Sequence, residues 1–201
     1  MMIRILAVIV FFVLTGCESP MPNAGADSNY EFVEPQTLQA LPEGQGHYSD
    51  ERVRQGKYLV ELLACGVCHS DGALTGKLNA DRLLAGSGIG IAYSNPMVEK
   101  NPGVVFPGNL TSDIETGLGS WKDEDIARVI RTGVNKHGQR NLSVMPWPGY
   151  AKMTDEDAMS IVAYLRSIPA VKHKVPDNIR PGKKTRLPYV HFGVYRSKQA
   201  M

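Results

Sequence analysis

Cys65-Gly66-Val67-Cys68-His69 is the stretch of this chain whose residue types and spacing specify a chemistry. Two thiols three positions apart fall on one helical turn, where each can add to a vinyl group of a haem. The histidine that follows then lies beneath the porphyrin and can bind its iron. C-x-x-C-H reads as covalent attachment of one haem c, with Cys65 and Cys68 as the attachment residues and His69 as an iron ligand. The competing reading is a Cys65–Cys68 redox disulfide. The adjacent His69 and the sequence downstream argue against it.

A fast, six-coordinate electron carrier needs a second axial ligand. Met145, in Leu142-Ser143-Val144-Met145-Pro146-Trp147, is the best candidate. Its thioether is soft and neutral, favours ferrous iron and raises the potential. The proline after it restricts the loop that would hold the sulfur in place. His137, in a Gly-flanked loop, is the alternative ligand, and Met97, Met153 and Met159 read as packing residues.

The third cysteine belongs to a different chemistry. Arg4 followed by the apolar run Ile5 to Leu14 has the form of an export signal, too short to span a bilayer as a mature helix. It ends in Leu14-Thr15-Gly16-Cys17, which resembles the lipobox of bacterial lipoproteins. That resemblance implies removal of residues 1–16 and lipidation of Cys17, hence a periplasmic protein anchored to a membrane. Several acyl chains hold a protein there stably, whereas one binds only marginally. An ordinary export signal with an incidental cysteine is the alternative. With Cys17 assigned to lipid and Cys65 and Cys68 to haem, no cysteine of the 201 residues is left for a disulfide.

The elements that must position these groups follow from periodicity. Ser49 reads as the N-cap of a first helix carrying Val53, Gly56, Val60 and Leu63 on one stripe, which runs into the haem motif. A mid-helix glycine is costly, so Gly56 implies close approach of another helix. A second helix starts after Trp121, with Ser120-x-x-Asp123 as a weak capping box and Gly133 as its stop. A third starts at Thr154, with Asp157 three later, and is closed by Pro169. Residues 70–119 are rich in Gly, Pro and Asn and lack strand alternation. A stretch that long argues against a compact domain unless a haem supplies the apolar core for the loops.

Charge is uneven although the net formal charge is only +2, which favours neither nucleic acid nor any strongly charged partner. Residues 18–48 hold Glu18, Asp27, Glu31, Glu34 and Glu43 and no Lys or Arg. With Cys17 they read as an acidic tether, 17–48, whose flexible reach would be about 30 Å; Tyr30, Phe32 and Val33 are residues that would dock if it is partly ordered. The domain proper is 49–171. Residues 172–201 form a basic extension with Asp177 as its acid, which reads as a solvated tail or as a segment that steers the protein to an acidic partner.

Residues 49–171 resemble the class I monohaem cytochromes c, in the branch related to the cytochrome subunits of membrane-bound alcohol and aldehyde dehydrogenases. Besides CGVCH, the matching pieces are Gly56-Lys57-Tyr58-Leu59-Val60, Leu84-Ala85-Gly86-Ser87-Gly88 and Pro107-Gly108-Asn109-Leu110-Thr111-Ser112-Asp113. They continue through Thr116-Gly117-Leu118-Gly119-Ser120-Trp121, Ile130-Arg131-Thr132-Gly133-Val134, Met145-Pro146-Trp147-Pro148-Gly149-Tyr150 and Ala163-Tyr164-Leu165-Arg166-Ser167. The resemblance implies an all-α cytochrome c fold: three main helices and long loops wrapped around one covalent haem, the first and last crossing near Gly56 and Tyr164. It implies His69 and Met145 as axial ligands, and it places Asn109, Thr111 and Trp121 near the haem propionates. Two departures stand out. Those subunits commonly carry several haem motifs where this chain has one, and often Asp-Gly where it has His137-Gly138.

The expected function is electron transfer without catalysis, because two filled axial positions leave no site for a substrate. Its partners would be a redox donor and acceptor, a dehydrogenase or oxidase among them. A dedicated electron-accepting subunit of a dehydrogenase complex is the alternative. A haem sensor or peroxidase follows only if the Met ligand is absent.

Overall fold

The architecture follows from two helices crossing at a residue with no side chain. In the computed structural model, which describes residues 30–36, 40–138 and 144–193, α1 (Asp50–Leu62) and α5 (Asp155–Ser167) pack directly on each other. A Cβ placed on Gly56 would lie 1.9 Å from the Ser160 carbonyl oxygen and 2.8 Å from the Tyr164 Cβ. Only glycine permits this approach, which explains a mid-helix residue of low helix propensity. Around the crossing, Val53 and Val60 of α1 meet Ile161, Val162, Tyr164 and Leu165 of α5 in the apolar core.

α2 (Cys65–His69) follows α1 after a break at Ala64, which sits in the left-handed region at φ 53°. α3 (Asp123–Thr132) adds Ile126 and Ile130 to the core, and the single turn α4 (Trp147–Tyr150) packs against α3. Caps anticipated from sequence close α1 and α5. Ser49 accepts from the Arg52 N–H, and Thr154 accepts from the Asp157 N–H at 3.0 Å while donating to its carboxylate at 2.8 Å. α3 departs from expectation: its N-cap is Lys122 with no side-chain cap, so Ser120 forms no capping box. Asp123, Glu124 and Asp125 in its first turn compensate through the helix dipole. Gly133 ends α3 at φ 70°, as anticipated.

Three corrections concern the chain outside the helices. The fold is mostly helical but not purely so. β1 (Gly90–Ala92) pairs antiparallel with β2 (Val104–Val105) and parallel with β3 (Tyr189–His191), in the order β2-β1-β3. Ile179 covers the other side of β2 through two reciprocal backbone hydrogen bonds with Val104, of 2.9 and 2.8 Å.

The basic extension is therefore not a free tail over its described part. Residues 171–193 form a strap hydrogen-bonded across the 70–119 region. Asn178 accepts from the Phe106 N–H at 2.9 Å, and the Gly182 N–H donates to the Asn101 carbonyl at 2.8 Å.

The packed unit also begins before Ser49. Leu41 is a core residue, the Tyr164 hydroxyl donates to the Pro42 carbonyl at 2.8 Å, and Tyr48 donates to Asp123 at 2.6 Å. Leu41 and the Tyr164 hydroxyl supply apolar and polar partners that the acidic composition of the segment concealed. Residues 1–29, including the apolar run and Cys17, lie outside the described residues, as does 194–201.

Candidate haem-binding site

The Cys65–His69 turn is placed by α1 behind it and by two loops in front of it. Cys65 and Cys68 are both free thiols, half-buried on the same turn. Burial pushes the Cys65 thiol up to about 12 and raises that of Cys68, so both stay neutral S–H groups at any physiological pH. Addition of S–H across a vinyl group draws on such a donor set. Among the described residues no three His, Cys, Asp or Glu side chains are grouped to hold a metal ion, so Cys65, Cys68 and His69 do not form a zinc-type set.

His69 is half-buried, and its Nδ1 lies 2.7 Å from the Gly108 carbonyl oxygen. A carbonyl oxygen can only accept, so Nδ1 carries the proton and Nε2 is left with its lone pair. Burial lowers the His69 pKa and so favours the neutral ring, while the Gly108 carbonyl pulls the other way and is the smaller effect. A neutral imidazole with one nitrogen tied to a carbonyl is the state that an iron ligand requires. Two neutral thiols on one turn beside an imidazole with its Nε2 lone pair available are a donor set that fits a covalently held haem.

The Gly108 carbonyl has no side-chain signature, and sequence reasoning missed it. It is held by a second loop. The Gly86 N–H donates to the His69 carbonyl at 2.8 Å, the Ser87 N–H to Pro107 at 3.0 Å, and the Leu110 N–H to Leu84 at 2.8 Å. Leu84 makes the reversal at φ 56°, fully buried, with its N–H on the Ser70 hydroxyl at 3.0 Å. A left-handed leucine is strained by about 1–2 kcal/mol, and it sits where the loop must turn back on His69.

Met145 is half-buried against the same apolar cluster as Cys65, Leu63 and Tyr150. Tyr150, at the end of α4, has its hydroxyl raised to about 12, first by burial and then by the facing Cys65 and Cys68. The α4 turn thus lies against the attachment turn. Its own position is set at α3, where a Cβ on Gly133 would be 3.0 Å from the Trp147 ring. His137 is exposed on the turn ending at Gly138, with its backbone N–H on the Asn135 side chain. Residues 139–143, which join that turn to Met145, lie outside the described residues.

Asn109 and Thr111 are fully committed elsewhere. Asn109 is buried; its amide donates to Thr116 and to the Val171 carbonyl at 2.7 Å, and its carbonyl accepts from the Thr111 N–H and hydroxyl, both at 2.8 Å. The Thr111 hydroxyl in turn accepts from the Val171 N–H at 3.0 Å. These bonds clamp the start of the strap. Replacing Asn109 with alanine leaves the Thr111 N–H unpaired and the Val171 carbonyl with only the longer bond from the Thr111 hydroxyl, 3.3 Å, at a cost of about 2 kcal/mol. Faster hydrogen exchange at Thr111 and Val171 is the expected signature; unchanged protection there would refute the clamp. Trp121 is half-buried with the Lys136 ammonium 5.3 Å from its ring centre, and its carbonyl accepts from Arg166.

No family model matches this chain. Curated relatives do, the following three among them. It is 30% identical over 146 residues to the cytochrome c subunit of the quinone alcohol dehydrogenase of Gluconobacter oxydans, covering 70% of this chain and 27% of that protein. It is 31% identical over 125 residues to the gluconate 2-dehydrogenase cytochrome c subunit of Pantoea cypripedii, covering 62% and 24%. It is 29% identical over 137 residues to the fructose dehydrogenase cytochrome subunit of Gluconobacter japonicus, covering 68% and 24%. The chain spans about a quarter of the length of these relatives. With CGVCH on a turn whose histidine is neutral and oriented, this chain carries covalent haem c and is related to the cytochrome c subunits of dehydrogenases.

Proposed function

We propose that the protein is a periplasmic one-electron carrier, anchored to a membrane through lipidated Cys17, with His69 and Met145 as the axial ligands of a single haem c. Its electrons come from a dehydrogenase, and it passes them on to a second redox protein. The observation that carries this reading is the 2.7 Å contact of His69 Nδ1 with the Gly108 carbonyl, which leaves Nε2 free on the residue next to Cys68. When bound, the haem supplies a one-electron ferric–ferrous couple. Cys65 and Cys68 would hold it covalently, and His69 and Met145, the latter on a turn packed against Cys65–His69, would ligate its iron. With both ligands in place the protein would do no chemistry on a substrate. The relatives are dehydrogenase subunits by name, which supports a dehydrogenase as the donor.

The ligand assignment is tested with Met145→Ala. Oxidised wild-type protein should be low-spin and show the weak red absorption band of thioether-bound ferric iron. The variant should lose that band, become high-spin, and fall in potential by on the order of 100 mV, since axial ligands set haem potentials over a wide range. A wild-type protein that is already high-spin would instead support the sensor or peroxidase reading.

A further inference from the structure

The strap carries a feature that electron transfer through His69 does not use. Lys174, Arg180, Lys183, Lys184 and Arg186 are exposed on it, and Lys100 is exposed on the loop it touches. Gly182 joins the two through its bond to the Asn101 carbonyl at 2.8 Å. None of these six cations has a carboxylate within ion-pair distance among the described residues. Lys172 does, on Glu115, and is not counted with them. The acids on the same stretch are Glu99 and Asp177. Beside Lys100 stand two exposed apolar side chains, Met97 at 43% and Val98 at 81%. Met97, which reads from sequence as a core residue, is thus on the surface.

This surface is connected to the haem loop. His173, at the start of the strap, places its Nδ1 2.9 Å from the Ala85 carbonyl, and the neighbouring Gly86 is bonded to the His69 carbonyl. The strap therefore runs from the ligand loop out to the cationic turn at 180–186.

Building on the carrier reading above, we infer that the 180–186 turn and the 97–100 loop form the docking surface for an acidic face of a redox partner protein. Unpaired cations around a small apolar centre match the usual division of labour at a transient interface. Long-range attraction guides encounter, and a few apolar contacts hold it. The charges are fixed in place by backbone pairing of Ile179 and Gly182 rather than carried on a free tail, so they suit fixed carboxylates on a folded protein. A membrane surface is less well matched. Peripheral binding uses an amphipathic helix with a broad apolar face, and this surface offers an irregular turn and two apolar side chains.

The test uses the full haem-loaded protein and a reduced acidic flavodoxin as the probe. Wild-type reduction should slow steeply as salt rises. The variant Lys183→Glu/Lys184→Glu/Arg186→Glu should be about tenfold slower at low salt, with a flattened salt dependence. A control variant of equal net charge, Lys77→Glu/Lys122→Glu/Lys152→Glu, alters exposed lysines on other elements and should slow far less. Neutral reduced lumiflavin should reduce all three equally, showing that haem and fold are intact. Equal slowing by the two triple variants would overturn the docking surface, as would no slowing by the first. Loss of binding to phosphatidylglycerol vesicles with an unchanged flavodoxin rate would assign the surface to a membrane instead. Failure of lumiflavin to reduce even the wild type would sink the carrier reading itself, a separate outcome.

Discussion

Gly56→Ala should destabilise the protein by about 3 kcal/mol or more. In an exposed helix the same change would stabilise by about 1 kcal/mol, because alanine is the better helix former. Here the added methyl would lie 1.9 Å from the Ser160 carbonyl oxygen and 2.8 Å from the Tyr164 Cβ. Neither can step aside. One is backbone in the middle of α5 and the other is the root of a fully buried side chain. The helices must separate, and every contact between Val53 and Val60 on one side and Ile161 and Tyr164 on the other loosens with them. For a protein of this size the loss corresponds to a fall in melting temperature of roughly 10 °C. Gly149→Ala is the matched control, since its added Cβ would meet nothing within 4 Å. Thermal unfolding of the haem-loaded variants, followed in the far ultraviolet, checks the pair. Equal midpoints would show that the crossing is not as tight as these distances require.

That crossing was legible because it leaves a mark in sequence: an isolated glycine on an otherwise apolar helical stripe, with a second apolar helix near the domain's end. The caps at Ser49 and Thr154 and the stop at Gly133 were legible for the same reason, since each has a side-chain or backbone requirement that few residues meet. The sheet was not. Its strands are two or three residues long, too short for alternation to appear, and β1 pairs with β3 from the far end of the chain. The strap was concealed by its own composition. Lysine and arginine read as solvated, and they are exposed, yet the backbone between them is what pairs with Val104 and Asn101. Charge pattern reports on side chains alone.

The site divides along the same line. Cys65, Cys68 and His69 announce themselves by type and spacing. The partner that fixes the His69 ring is a carbonyl, and any residue has one. The available signal was indirect: glycines at 86 and 108 inside loops that must approach each other. Asn109 and Thr111 show a second limit. The family resemblance placed them near the propionates, but polar capacity in sequence does not say where it is spent, and in the structure their side chains bond Val171 and Thr116.

Gly86 is where loop geometry and iron chemistry meet, and Gly86→Ala should change both stability and potential. The residue has φ 85°, a conformation that costs alanine about 1–2 kcal/mol. Its added Cβ would also lie 2.9 Å from the Asn109 nitrogen and 2.9 Å from the Pro107 oxygen, the two backbone atoms flanking Gly108. The 107–109 loop must move outward, and the Gly108 carbonyl moves with it, away from His69 Nδ1. With the proposed assignment of His69 to the iron, the sign of the effect follows. The carbonyl draws on the Nδ1 proton and makes the ring a stronger electron donor, which favours ferric iron. Weakening that bond makes the ring a poorer donor and raises the potential. A hydrogen bond worth about 1 kcal/mol corresponds to about 40 mV for a one-electron couple. Gly138→Ala separates this from simple strain: it has φ 76° but nothing within 4 Å of an added Cβ. It should lose about 1 kcal/mol of stability and keep its potential. Redox titration of the two variants decides the matter, because equal potentials would mean that the Gly108 carbonyl does not tune the iron through His69.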